Sequence, residues 1–418
     1  MYYLAVPSKN KVTVVGIGRV GLPLALVLAD KGYEVIGADV DKARLNLISK
    51  GKLPFIEEGA EPLLKKYYGN RFTAVEKLGS SLEKSEIIII TLGTPIDGNY
   101  TPNFSQIIDF FEEACPYLKK GQLIILRSTI APGVTENIKR IIEEKTKFKV
   151  GEDIFLAYCP ERIAEGKAVQ ELAEIPQIIG TLDKNSAKEA GEVFKKITKT
   201  IHFTDTLSAE LAKLYCNIYR YIDFAIGNEF MMIAEGQGAD IYEVLRLVNE
   251  GYKRGGLKSP GFTAGPCLVK DSFFLLDKSP YLDLMVGAWR INENVPGFLV
   301  NTLKEKYGSF AGKKVAILGL AFKKNIDDIR YSLTPKLQNY FIGEGASVLV
   351  HDPLLPSESL EVTLKDADLV IVATNHDIFK NMGLEKIRQL SKESCVICDV
   401  WNMWGVGKII FRLDEVEK

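Results

Sequence analysis

The sequence has almost no net charge: 53 Lys and Arg stand against 54 Asp and Glu, a formal balance of -1. Such a chain spreads no field that would gather nucleic acid or an anionic membrane, so any anion site has to be built locally. It has no run of about 18 uncharged apolar residues, the length a membrane helix needs. Its start, MYYLAVPSKNKVTVVG, lacks the cationic and then apolar order of a secretory signal, and a cytoplasmic protein is expected. Cysteine is sparse. The six, at 115, 159, 216, 267, 395 and 398, are scattered over 418 residues and make no disulfide framework. Cys395 and Cys398 form a lone CxxC with no second ligand pair, which favours buried core thiols over zinc, and no metal site is expected.

What the chain does have is 46% hydrophobic and 26% charged residues, enough for two or three cores. The first 200 residues alternate apolar runs (KVTVVGIG, YEVIGAD, SEIIIITLG, QLIILRST, IFLAYCPER) with helix-period stretches such as LPLALVLADKG. Continuous Val and Ile suits parallel strands buried on both faces, with helices between them as cover. The pattern predicts an α/β fold with two Rossmann-like, doubly wound domains joined by a central helical region. Residues 1–203 form the first domain, 204–300 the helical region and 301–418 the second, which opens at AGKKVAILGLAFKKN and has no GxGxxG. From Thr206 to about Tyr252 a single helical period runs without proline. So apolar a helix needs a surface to bury against, and a homodimer built on it is expected.

Between KVTVV and LPLALVLAD lies Gly16-Ile17-Gly18-Arg19-Val20-Gly21. Glycines at these positions permit a tight turn, close approach of backbone to a pyrophosphate, and helix packing, while the helix start presents N–H groups to the phosphates. Asp39, at the end of the next strand, stands where a carboxylate meets ribose hydroxyls and repels the extra phosphate of NADP. NAD is therefore the expected cofactor, although Lys42 and Arg44 follow closely. Thr94, in Thr91-Leu92-Gly93-Thr94-Pro95, and Thr129, in Arg127-Ser128-Thr129, fall beyond strand ends, where ligands of open sheets sit and where helix caps also occur. Cys267 lies in PGFTAGPCLVKD beside Lys270 and Asp271, an environment in which a thiol can ionise and trap an aldehyde. Lone cysteines are more often structural, and the residues alone leave both readings open.

Across nearly its whole length the sequence resembles the UDP-glucose/GDP-mannose dehydrogenase family. The motifs that carry the resemblance occur in order: the GxGxxG, GTP at 93–95, STIAPG at 128–133, PERIAEG at 160–166, AELAKLYCN at 209–217, GFTAGPCLVKD at 261–271 and GLAFKKNIDDIRYS at 319–332. The resemblance implies two successive hydride transfers from one UDP-sugar to two NAD, with Cys267 attacking the intermediate aldehyde and becoming a thioester. It implies that Lys213 and Asn217, one helical turn apart, stabilise the alkoxide and oxyanion. Glu161 and Asp271 would handle protons and the hydrolytic water, with Thr129 helping to hold that water. Gly16, Gly18, Arg19, Val20, Gly21, Asp39, Arg44, Thr94 and Thr129 would bind the cofactor. Glu161, Arg162, Lys213, Asn217, Arg220 and Gly261 would bind the sugar nucleotide, Lys323 and Arg330 would offer cations to its diphosphate, and Arg254 would reach into the neighbouring subunit.

Arg162 and Arg220 resemble the branch of the family that oxidises UDP-N-acetyl-D-mannosamine, whereas the Ala264-Gly265-Pro266-Cys267 loop followed by Lys270-Asp271 resembles the UDP-glucose branch. A two-electron hydroxyacid dehydrogenase would share the first domain but would not need Cys267 or a second nucleotide domain. A non-catalytic NAD sensor would need no cysteine, lysine and asparagine in this constellation.

Overall fold

The computed structural model describes residues 9–97, 101–278 and 282–416. The chain divides into two compact units, Met1–Cys216 with Phe273–Lys278 and Asn217–Ser272 with Ser279–Lys418.

The first unit is built on one eight-stranded sheet. Its strands are β1 (Lys11–Val15), β2 (Glu34–Ala38), β3 (Phe72–Val75), β4 (Ile87–Ile90), β5 (Leu123–Leu126), β6 (Phe155–Tyr158), β7 (Gln177–Thr181) and β8 (Ile201–Thr204), in spatial order 3-2-1-4-5-6-7-8. β1 to β6 are parallel, and the order reverses beside β1, the switch point at which dinucleotides bind. β4 (IIII) and β5 (LIIL) are buried at every position, as strands covered on both faces must be. The helix Gly21–Asp30 is buried along Gly21–Ala29 and joins Leu22, Leu26 and Leu28 to the core under β1 and β2. Five of these strands match the apolar runs in the sequence. The other three read weakly for physical reasons: only the first residue of β3 (FTAV) is fully buried, β7 runs antiparallel to β6, and the edge strand β8 (IHFT) has no fully buried residue.

The second unit carries a five-stranded sheet of β9 (Lys314–Leu318), β10 (Ser347–His351), β11 (Leu369–Val372), β12 (Val396–Cys398) and β13 (Ile410–Arg412), in order 10-9-11-12-13 with only β13 antiparallel. Its first four strands repeat the arrangement of β2, β1, β4 and β5. One face packs on the helices Ile241–Asn249 and Asp283–Tyr307, through Leu245, Val295, Leu299 and Leu303; the other packs on Leu364, Phe379 and Ile387. Cys398 lies in the first of these cores and Cys395 in the second, and burial pushes the Cys395 thiol up to about 12. Among the described residues no group of three or more His, Cys, Asp and Glu gathers as a metal site.

The boundary between the units falls inside the helix Thr206–Gln237. The expected single period to Tyr252 is in fact two helices. Gly238 adopts φ +71°, and Asp240 restarts the chain by capping Ile241–Asn249, its carboxylate accepting from the Tyr242 N–H at 2.8 Å. Tyr215, Tyr219, Phe230 and Ile233 of the long helix are exposed. Among the described residues no helix is long and apolar enough to cross a membrane.

Candidate active site

The first unit builds a dinucleotide cradle at the end of β1. Gly16 takes φ +87° and donates its N–H to the Ala38 carbonyl at 2.8 Å, which ties the turn to the end of β2. A Cβ on Gly21 would overlap the Gly16 carbonyl oxygen and lie 2.6 Å from Thr91 Oγ1, so only glycine lets the helix start this close to the strand. A Cβ on Gly18 would meet nothing within 4 Å. This open space over the helix start fits a pyrophosphate. Asp39 follows β2, with one carboxylate oxygen accepting from the Asp41 N–H at 2.9 Å and the other from Arg44 Nη1 at 2.6 Å. The residues present fit NAD, and the predicted Arg44 acts as the holder of Asp39. The Arg19 guanidinium lies 5.0 Å from the centre of the Phe55 ring and 3.8 Å from Glu165, while Val20 precedes the first helical turn.

The hydroxyl clusters beyond β4 and β5 tie loops together rather than cap helices. Thr91 Oγ1 donates to Gly16 O at 2.5 Å and Ser128 Oγ to Leu92 O at 2.7 Å. Thr94 is buried and Thr129 half-buried. Glu210, fully buried on the long helix, accepts from the N–H groups of Gly133 and Thr135 at 2.7 and 2.9 Å and from Thr135 Oγ1 at 2.6 Å. Burial raises its pKa, against the pull of these bonds from Thr135 and Gly133. Glu210 thus fixes the STIAPG loop to the helix that carries Lys213.

Beyond β6, Glu161 is anchored on every side. It pairs with the Arg127 guanidinium, and its other oxygen accepts from the N–H groups of Arg162 and Ile163 at 2.7 and 3.0 Å. Arg127 is buried at 2% exposure, stacks 5.2 Å from the Phe194 ring centre and donates to Gln177 Oε1 at 2.9 Å. Removing one partner of a buried ion pair costs about 3–5 kcal/mol, so Arg127 is as necessary to this loop as Glu161. Sequence reasoning passed over Arg127, although an arginine directly after an apolar strand was the available signal. It also missed Glu57, which holds the same loop through the Gly166 and Ala168 N–H groups at 3.0 and 2.6 Å. The Arg162 guanidinium donates to the Pro176 carbonyl.

Lys213 and Asn217 share a face of the long helix and are buried, at 6% and 7% exposure. In the second unit Asn217 Nδ2 donates to Asp271 Oδ2 at 2.6 Å, and Lys270 Nζ lies 2.9 Å from Asp271 Oδ1. Asp271 is completely buried. The short helix Pro266–Asp271 carries this buried acid and leaves the Cys267 side chain exposed. Its approach is set by close packing: the Phe322 ring lies against Gly265, and the Trp401 ring against Gly261. A relay of buried amides holds Gly261 from below. Its N–H donates to Asn228 Oδ1 at 2.9 Å, Asn228 donates to Asn292 Oδ1 at 2.8 Å, and Asn292 donates to the Tyr221 carbonyl at 3.1 Å.

The remaining predicted cations differ in their commitments. Arg220 is exposed on the long helix. Arg254 is exposed and stacks 5.1 Å from the ring centre of Tyr252, two residues away. Lys323 is half-buried in the loop after β9, and Arg330 is exposed and forks onto Asp328 of its own loop at 2.6–3.1 Å.

Three family models match the chain. The NAD binding domain of the UDP-glucose/GDP-mannose dehydrogenase family matches residues 10–198, its central domain 207–295 and its UDP binding domain 316–406. A UDP-N-acetyl-D-mannosamine dehydrogenase of Methanocaldococcus jannaschii is 32% identical over 94% of this chain and 92% of its own. The solved UDP-D-ManNAc dehydrogenase of Pyrococcus horikoshii superposes with a TM-score of 0.85 at 30% identity, covering 91% of this chain and 93% of its own. The UDP-N-acetyl-mannosamine dehydrogenase of Staphylococcus aureus superposes with a TM-score of 0.84 at 28% identity, covering 94% and 95%. With its glycine cradle, its buried acid beside an exposed thiol and its two Rossmann-like sheets, the chain belongs to the UDP-glucose/GDP-mannose dehydrogenase family and is an NAD-dependent nucleotide-sugar dehydrogenase.

Proposed function

We propose that the chain oxidises the C6 primary alcohol of a UDP-N-acetylhexosamine, with UDP-N-acetyl-D-mannosamine as the preferred substrate, to the uronate through a covalent Cys267 intermediate. The observation that carries the mechanism is the short helix on which an exposed Cys267 sits four residues from the buried Asp271, itself bonded to Asn217 and Lys270. Gly16, Gly18, Arg19, Val20, Gly21, Asp39, Arg44, Thr94 and Thr129 would hold NAD, which would supply the hydride acceptor for the two oxidations. Lys213 stabilises the alkoxide formed when the hydroxyl loses its proton, and Asn217 donates to the oxygen of the adduct. The Cys267 sulfur adds to the aldehyde carbon to give a thiohemiacetal. Loss of the second hydride and a proton leaves a thioester. Water, activated by Asp271 or Glu161 and positioned by Thr129, cleaves the C–S bond to release carboxylate and thiol. One alcohol and one water thus yield one carboxylate, two reduced cofactors and three protons.

The names of the relatives support the N-acetylmannosamine substrate, as do Arg162 and Arg220, which resemble that branch. A UDP-glucose substrate is the second reading, favoured by the Gly265-Pro266-Cys267 loop with its Lys270-Asp271. In this proposal residues 1–203 bind NAD, 204–300 form the core of a cytoplasmic homodimer and 301–418 bind the sugar nucleotide, with Gly261, Lys323 and Arg330 as contacts and Arg254 reaching the neighbouring subunit. Exposed Tyr215, Tyr219, Phe230 and Ile233 supply the apolar side chains such a dimer would cover. Incubation with a panel of UDP-sugars should give two reduced cofactors per UDP-N-acetyl-D-mannosamine, and Cys267→Ser should lower net acid formation at least about a thousandfold. One reduced cofactor per substrate, unaltered by Cys267→Ser, would sink the mechanism. Turnover of UDP-glucose alone would sink the sugar assignment.

A further inference from the structure

The loop from Gly319 to Leu333, which carries Lys323 and Arg330, is pinned by groups at the ends of two neighbouring strands. Gly319 N–H donates to the His351 carbonyl at 2.8 Å. The next two N–H groups, of Leu320 and Ala321, converge on one carboxylate oxygen of Asp352 at 2.7 and 3.0 Å. Thr374 Oγ1 donates to the Ala321 carbonyl at 2.5 Å. Further along the loop, the Asn325 N–H donates to Nδ1 of His376 at 2.9 Å, while Nε2 of the same ring lies 3.2 Å from Asp352 Oδ2. His376 and Asp352 are buried, at 1% and 2% exposure.

These bonds fix the state of the ring. A nitrogen that accepts an N–H must offer a lone pair, so Nδ1 is unprotonated and the ring proton sits on Nε2, directed at Asp352. Asn325 adopts φ +60°, the left-handed region that asparagine tolerates better than most residues other than glycine, and its side chain is bracketed by Asp377 through bonds of 2.5 and 3.1 Å. The Leu320 and Ala321 amides, which a phosphate cradle would aim at its ligand, are occupied by Asp352. An anion here has to be met by the loop's cationic side chains, and their placement depends on how the loop is held.

We propose that His376 is a positioning residue for nucleotide binding: as a neutral ring braced by Asp352, it holds the Asn325 amide and so sets the loop that presents Lys323 and Arg330 to a nucleoside diphosphate. It rests on the reading of those two cations as diphosphate contacts. His376 touches no substrate in this scheme. Phe322, in the same loop, packs on Gly265, two residues before Cys267, so the same bonds also steady the approach to the thiol.

The test is titration of the full-length protein with UDP and, separately, NAD, together with KM and kcat for the sugar nucleotide, in wild type and in His376→Ala, His376→Gln and His376→Asn. An asparagine oxygen can replace Nδ1 as acceptor for the Asn325 N–H, whereas a glutamine amide reaches only toward Asp352. His376→Ala and His376→Gln should weaken UDP about tenfold or more, as loss of a buried hydrogen bond does. His376→Asn should recover to within about threefold, with NAD affinity unchanged and KM rather than kcat following the UDP trend. If His376→Ala does not fold, the Asn and Gln pair still decides. Equal UDP affinity in wild type and His376→Gln, a His376→Asn as weak as His376→Gln, or a nitrogen resonance showing a protonated Nδ1 would each overturn the role of His376. A wild-type protein that binds NAD but no UDP would instead overturn the diphosphate reading beneath it.

Discussion

The two sheets place the same three groups at the same topological positions and use them in opposite ways. After the first strand of each comes a glycine at positive φ, Gly16 at +87° and Gly319 at +99°, and each donates its N–H at 2.8 Å to the last carbonyl of the neighbouring strand. After that neighbouring strand comes an aspartate, Asp39 or Asp352. A threonine past the strand on the other side, Thr91 or Thr374, donates to a loop carbonyl at 2.5 Å. In the first unit the helix begins at once, at Gly21, and Asp39 stays at the rim, half-buried with Arg44 beside it. In the second the helix begins only at Thr334, and Asp352 turns inward onto the loop's own amides. The second frame thus spends two of its backbone donors on its own carboxylate, whereas in the first frame the carboxylate bonds to Asp41 and Arg44 instead. The second frame also holds its glycine closer to the threonine, since a Cβ on Gly319 would lie 2.6 Å from the Thr374 nitrogen, against 3.1 Å between a Cβ on Gly16 and the Thr91 carbonyl oxygen.

The largest effect expected from breaking this comparison is at the glycines of the first frame. Gly21→Ala forces a methyl group into the Gly16 carbonyl and should cost about 3 kcal/mol of stability, with NAD binding lost, by thermal unfolding and cofactor titration. Gly18→Ala meets nothing within 4 Å and should leave stability within about 0.5 kcal/mol of wild type while still weakening NAD. Equal destabilisation by both would mean that the cradle is packing and not a ligand surface.

In the second frame the sensitive group is Asp352. Burial on its own would raise the carboxyl, but the His376 ring and the N–H groups of Ala321, Leu320 and Leu354 outweigh it and hold it at about 2, against an ordinary 3.8. A depressed acid stabilises the fold above its unfolded pKa and loses that contribution as pH falls through its folded one. Denaturation should therefore show about 2 kcal/mol lost between roughly pH 4 and pH 2, absent in Asp352→Asn. A variant with the same acid limb would remove Asp352 from this account.

The smallest change tests the rim position of Asp39. Asp39→Ser removes the repulsion to a 2′-phosphate while Arg44 remains, and the ratio of NADP to NAD affinity should rise about tenfold or more. An unchanged ratio would mean that Asp39 is not at the ribose.

Much of this was legible in the chain. β1, β2, β4, β5 and β6 announced themselves as continuous apolar runs because they are covered by the elements packed on them, and β3 and β8, of the same length as β4 and β5, did not because they are barely buried. The glycines of the first cradle were legible because backbone geometry restricts the residue types allowed there. Arg127, Glu57, Glu210, Asn228 and Asn292 were not, because each acts by meeting a partner at least 33 residues away in sequence, and no local spacing encodes such a meeting.

By itself, then, the sequence determined the two alternating α/β regions, the dinucleotide turn at Gly16–Gly21 and the order of the family motifs, all of which are written in local pattern. Only the tertiary structure decided that the acids after β2 and β10 do different work, that Glu161 is braced by Arg127, and that Asn217 and Asp271, 54 residues apart, bond beneath the helix that carries Cys267. Burial creates those distinctions: a carboxylate taken out of water has to find donors, and which donors it finds depends on the elements folded around it.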